Sequence, residues 1–147
     1  QNPVSNVTLS VAPNLITRQR QNIGKTRAKG LEFEAETRIR NFKFSLGYLL
    51  TDSRVIDFPA NRNLENLFVP QIARHQFTFQ TNYTRNDWTL AFQGRASSKQ
   101  FDDDLNALRL EPYFQLDVFA AKRFAENWQI FAAVENLFNS RYSVAKT

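Results

Sequence analysis

The feature that most constrains this chain is a two-residue alternation that runs through 110–124, turns, and runs back through 128–138. Ala125-Glu126-Asn127 reads as a three-residue hairpin loop, with Asn127 in the left-handed conformation that asparagine tolerates. That register sets Phe124 opposite Trp128, Lys122 opposite Ile130, Ala120 opposite Ala132, Val118 opposite Val134 and Leu116 opposite Asn136. The other face pairs Arg123 with Gln129, Ala121 with Phe131, Phe119 with Ala133 and Asp117 with Glu135. One face is largely apolar. The other mixes polar and charged groups with a few aromatics. Period two on both arms of a hairpin is the signature of paired strands, and a helix cannot use it.

The same pattern recurs upstream. Leu31, Phe33, Ala35, Thr37 and Ile39 alternate with Glu32, Glu34, Glu36, Arg38 and Arg40. After a turn at Arg40-Asn41, Phe42, Phe44, Leu46, Tyr48 and Leu50 continue the apolar face, and Lys43 lies diagonal to Glu36 on the polar one. A second hairpin turns at Asn86-Asp87 and sets Phe79 opposite Gly94, an aromatic over a glycine gap. The spacing predicts six long strands in meander order, over 30–39, 42–53, 72–85, 88–100, 110–124 and 128–138. Val7, Leu9 and Val11 suggest a short strand that Pro13 ends or bends. Residues 18–29 read as a basic loop, and 54–71 and 101–109 as long loops.

Tight turns (40–41, 86–87, 125–127) thus alternate with long connections, placing all short links on one rim of the sheet. Phe42, Tyr83, Trp88, Phe124 and Trp128 all fall beside that rim on the apolar face, where a membrane-interface girdle of aromatics would lie. Strands of about 9–14 residues suit a tilted bilayer crossing better than the five or six usual in soluble sheets. Alternation alone leaves the outward face open. A soluble up-and-down barrel binding an apolar small molecule would turn the apolar face inward. Aromatics gathered at one rim, and the triplet Glu32, Glu34 and Glu36 on the other face, favour apolar outside and a polar lumen. Arg95, Asp117 and Glu135 would line that lumen with the three glutamates. Asp117 facing Glu135 would need a proton or a nearby cation, for which Arg95 is the candidate.

Composition narrows the chemistry. The 147 residues suit one domain, and no run approaches the roughly 18 apolar residues of a helical span. The chain begins at Gln1 with no methionine, as a mature protein or a piece of a longer one would. The absence of cysteine excludes a Cys-ligated metal site, and a single histidine, His75, gives a His-based metal site or a Ser-His-Asp triad almost no support. The net charge of +5 is spread along the chain, so nucleic acid is not the expected partner. The Glu32–Glu36 carboxylates step about 7 Å along one face, but nothing places a sugar between them. Asp102-Asp103-Asp104 lacks calcium-loop spacing and reads as a solvated loop tip. No enzyme activity, cofactor or metal is expected.

Three stretches carry a family resemblance: Asn22-Ile-Gly with Lys29-Gly-Leu-Glu-Phe-Glu, Phe68-Val-Pro with Arg74-His75, and Val134-Glu-Asn-Leu-Phe-Asn with Tyr142. In order and spacing the chain resembles the C-terminal part of the barrel of TonB-dependent outer-membrane receptors, over about residues 20–142. The resemblance implies a location in the bacterial outer membrane, a 22-stranded barrel with an N-terminal plug, and uptake of scarce nutrients, most commonly siderophore iron. It implies outer-membrane lipids, the rest of the barrel and plug, and the TonB energy complex as partners. Against the family pattern the chain shows no plug, no energy-coupling segment and no aromatic-terminated last strand. The expectation is therefore an all-β antiparallel fragment of six or seven strands, with residues 1–147 as the C-terminal portion of a transmembrane barrel domain.

Overall fold

The computed structural model describes residues 4–13, 15–22, 24–125 and 127–146. It contains strands β1 (Val4–Ala12), β2 (Leu15–Asn22), β3 (Lys25–Ile39), β4 (Phe42–Asp57), β5 (His75–Arg85), β6 (Trp88–Ser97), β7 (Gln100–Phe101), β8 (Arg109–Leu110), β9 (Tyr113–Ala125) and β10 (Trp128–Val134). A 3-10 turn at Arg62–Leu64 is the one helical element among the described residues. Six strands form one antiparallel sheet in the order β10-β9-β6-β5-β4-β3, a plain meander with β3 and β10 at its open edges. β1 and β2 form a separate hairpin, and so do β7 and β8.

The register follows the alternation. Ile39 pairs with Phe42, Phe42 with Tyr83, Tyr83 with Leu90, Leu90 with Ala120 and Ala120 with Ala132, so one row crosses all six strands on one face. Phe79 faces Gly94, where the phenyl ring occupies the space a Cβ would need. The tight turns at 40–41 and 86–87 bring Arg40 and Asn86 to φ values of 53° and 51°, the left-handed region that two-residue hairpins demand.

Four sequence expectations change. Trp128 pairs with Ala125, and the register shifts before Gln129 meets Arg123, so Phe124 falls in a bulge instead of opposite Trp128. A bulge gives the strand end extra twist without disturbing the pairs beyond it. Glu126, in the loop itself, lies outside the described residues. At the far end the ladder stops at Val134–Val118. Asn136 turns at φ 51° and Leu137 donates its N–H to the Leu116 carbonyl, so neither the Leu116–Asn136 pair nor the Asp117–Glu135 pair forms in the ladder. Residues 18–29 are mostly strand, because a backbone partner with a free ladder outweighs a polar composition. Finally, β4 runs on to Asp57, and the loop read at 101–109 is closed by the β7–β8 pair.

The six-stranded sheet has no core on its apolar face: Leu31 is 72% exposed, Phe33 55%, Ile130 65% and Val134 49%. Burial concentrates at the long-link end. There Val7, Val55, Phe58 and Leu64 form a cluster, with Leu67 against it. That cluster tethers β1 and the 58–74 segment to the top of β4.

Candidate functional site

The polar face of the sheet begins with β3 and β4. Glu32, Glu34 and Glu36 are exposed and lie on one face by alternation. Lys43 reaches Glu36 diagonally across the strands at 3.0 Å, and the Ser45 hydroxyl donates to the same carboxylate at 3.3 Å. Such an exposed pair steadies side chains more than it stabilises the fold. Glu34, Glu36, Ser45, Thr78, Gln80 and Gln93 border an open hollow of about 610 Å³ along this face.

Further along the same face a network runs from β6 to the segment after β10. Both Nε and Nη2 of Arg95 donate to the Gln115 side-chain oxygen, at 3.3 and 2.8 Å, and the Tyr142 hydroxyl donates to it at 3.1 Å. Gln115 in turn donates through Nε2 to Asp117 at 3.0 Å, and the Asn136 N–H donates to the same oxygen at 2.8 Å. The expected Asp117–Glu135 confrontation is therefore absent. The chain turns at Asn136 and brings a backbone N–H to Asp117, while Glu135 stays exposed. Arg95 reaches Asp117 through Gln115, a residue the sequence reading passed over because a glutamine on a polar strand face carries no special pattern. Tyr142 stacks on Tyr113 with ring centroids 4.0 Å apart. The Asn136 side chain closes the turn by accepting from the Ser140 N–H at 2.9 Å and donating to its carbonyl at 3.0 Å.

The long links form a tied cap at the same end. Asp102, Asp103 and Asp104 are buried, against the reading of a solvated tip, and each carboxylate holds a different segment. Asp104 accepts from the Thr8 N–H and hydroxyl at 2.9 and 2.6 Å. Asp103 accepts from Ala107 and Leu108 N–H at 3.1 and 2.6 Å. Asp102 accepts from Gln71 Nε2 and from the Lys146 N–H, at 2.9 and 2.8 Å. Asn106 clamps Phe68, accepting from its N–H at 2.8 Å and donating to its carbonyl at 2.9 Å. A run of short acceptors can cap nearby backbone N–H groups; that was the available signal. No group of metal-ligating side chains occurs among the described residues.

On the apolar face, at the tight-turn rim, aromatic side chains meet a cation. Phe42 lies against Tyr83 at 4.7 Å between centroids. Lys122 belongs to this face by register, opposite Trp88, and its ammonium sits 4.9 Å from the Trp88 ring and 5.0 Å from the Phe124 ring. Trp88, Phe124 and Trp128 are exposed, at 47%, 60% and 74%. A lysine lying along aromatics at the end of an apolar face keeps its stem dry and its charge wet.

Comparison with known proteins gives this arrangement a context. The family model described as TonB dependent receptor-like, beta-barrel, matches residues 1–137. No curated protein sequence matches the chain. Among solved structures, it is similar to the ferric yersiniabactin uptake receptor FyuA from Yersinia pestis, with TM-score 0.77 and 24% identity over 86% of this chain. It is also similar to the siderophore receptor PiuA from Acinetobacter baumannii, with TM-score 0.78 and 18% identity over 99% of this chain. A third likeness is to BauA, the ferric preacinetobactin receptor from the same species, at 0.71 and 20% over 95%. The chain spans about a fifth of each receptor's length: 21%, 21% and 22%.

Proposed function

The chain belongs to the TonB-dependent receptor β-barrel family, whose members lie in the outer membrane of Gram-negative bacteria, and we propose that it forms the C-terminal six-strand wall of such a barrel. In this reading the apolar face meets lipid and the polar face lines the lumen. The tight turns lie on the periplasmic side and the tied loops face outward. Glu32, Glu34, Glu36, Arg95, Asp117 and Glu135 supply a wet wall of mixed charge. Phe42, Tyr83, Trp88, Phe124 and Trp128 supply the periplasmic girdle. The transported nutrient is a ferric siderophore, the ligand class of the similar receptors. Plug contact and energy coupling through TonB belong to other parts of the same protein. The wall itself acts passively, as scaffold and polar lining, and the loop cap is the part placed to meet ligand first.

One observation carries this reading: a face of large apolar side chains left open to solvent, with tight turns at one end and long tied loops at the other. Val134 tests it. It lies six residues beyond Trp128, which a rise of about 3.3 Å and a tilt near 40° convert to roughly 15 Å above the rim, near mid-membrane. In the complete barrel, Val134→Arg is expected to lower folding stability in bilayers by about 2–4 kcal/mol. Ala133→Arg points the other way and should cost much less, beyond crowding against its partner Phe119. Urea titration of both variants in lipid vesicles measures the difference. Equal costs would remove the lipid-facing assignment, and a larger cost at Ala133 would turn the wall inside out.

A further inference from the structure

The β1–β2 hairpin stands apart from the wall that it joins. Its two strands pair only with each other among the described residues, so it can swing as a unit without breaking a ladder hydrogen bond. The chain enters β3 through Gly24 at φ 67°, in the left-handed region that glycine adopts freely. A Cβ there would collide with the Asp57 carbonyl at the end of β4. A short link of this kind, at the end of an element, is where a hinge absorbs its rotation.

The hairpin leans inward. Val7, 3% exposed, clusters with Val55, Phe58 and Leu64. By alternation Val55 continues the face of Lys43, Ser45 and Gly47, which is the face assigned to the lumen. β3 is an edge of the sheet, whereas Asp104 belongs to the link between β6 and β9. A contact between Thr8 and Asp104 therefore reaches past the outer ends of β4, β5 and β6, roughly 14 Å at about 4.8 Å per strand.

That contact has the form of a latch. The register of β1 shifts between Thr8 and Ser10, and a bulge leaves a backbone N–H outside its ladder. The Thr8 N–H donates to one Asp104 oxygen at 2.9 Å, and the Thr8 hydroxyl donates to the other at 2.6 Å. Asp104 is buried, so water competes little for these bonds. Its own segment is fixed from three sides. Asp103 accepts from the Ala107 and Leu108 N–H groups, β7 pairs with β8, and Leu110 is fully buried. The holding side is braced and the held side is hinged.

We propose that the β1–β2 hairpin is a hinged flap over the outer mouth of the lumen, held shut by the Asp104 carboxylate on Thr8. The direction in which it leans rests on the lumen assignment above. Val7→Cys, in a complete receptor otherwise free of cysteine and held in detergent, reports opening through its rate of reaction with a maleimide. The thiol is covered while the flap is shut. In that background Asp104→Ala should raise the rate about 10- to 100-fold, the effect of losing buried, charge-assisted bonds on the open population. Thr8→Ser keeps both donors and should leave the rate near that of the parent. Asp102→Ala cuts the ties to Gln71 and Lys146 but not to Thr8, and should change it much less than Asp104→Ala does. Hydrogen exchange shows whether the hairpin stays intact, and its ladder amides should keep their protection in Asp104→Ala. An unchanged rate in Asp104→Ala overturns the latch. An equal rise in Asp102→Ala assigns the effect to general loosening of the cap, and lost ladder protection shows a hairpin that melts instead of swinging; either result also overturns it. If the arginine variants in β10 differ as expected while labelling ignores Asp104→Ala, the latch alone has failed. If those two variants cost the same while the labelling pattern holds, the lumen assignment has failed and the latch has not.

Discussion

At the scale of single residues, the most informative contact is between Phe79 and Gly94. A Cβ on Gly94 would collide with the phenyl ring, so the pair is a fitted ring and gap on the apolar face. Gly94→Ala should destabilise the complete barrel by about 1–3 kcal/mol. In a Phe79→Ala background the same change should cost much less, because the ring that it meets is gone. Urea titration of the two single variants and the double variant gives the coupling, and additive costs would show that the ring does not fill the gap. This contact was legible in the sequence because the tight turn at Asn86-Asp87 fixed the register of β5 against β6. The Arg95–Gln115–Asp117 relay was not, because it depends on Asn136 leaving the ladder and offering its N–H to Asp117. Alternation reports which face a residue takes, not where a strand ends.

At the scale of elements, the tight-turn rim unites residues from four strands. Phe42 and Tyr83 touch, and Lys122 lies over Trp88 and Phe124. The lysine sits on the apolar face by register and would look misplaced on any strand that crossed further from the rim. If this rim lies at the membrane interface, lipids brominated at different depths should quench both Trp88 and Trp128 best near the headgroups. Strongest quenching at the bilayer centre, or none, would remove the girdle. The hairpin between β9 and β10 was legible for all pairs from Arg123–Gln129 to Val118–Val134. It failed only at the tip, where a bulge absorbs one residue. β2 and the start of β3 were missed because basic, polar residues show no hydrophobic period, although backbone pairing needs none.

At the scale of the whole molecule, the sheet has two edges unpaired among the described residues and an apolar face left open. Residues 1–147 produced alone are therefore expected to associate through β3 and β10, eluting from size exclusion as aggregates unless detergent is present. A monodisperse, folded monomer in plain buffer would contradict both the open edges and the lipid-facing assignment. The soluble barrel left open by alternation would have needed the apolar face to close on itself; Leu31, Phe33 and Val134 instead stand exposed, and the family match names a membrane barrel. The sequence by itself determined the strand class, the meander order and the face of the side chains inside the predicted ladders, because period two and turn chemistry act over a few neighbours. It also carried the family, in three spaced motifs. The tertiary structure alone decided how the long links pack. The Asp102–Asp104 carboxylates bind Thr8, Gln71, Ala107, Leu108 and Lys146, partners up to 96 residues away. No local pattern encodes such a choice, since a carboxylate can accept from any N–H that folding brings within reach.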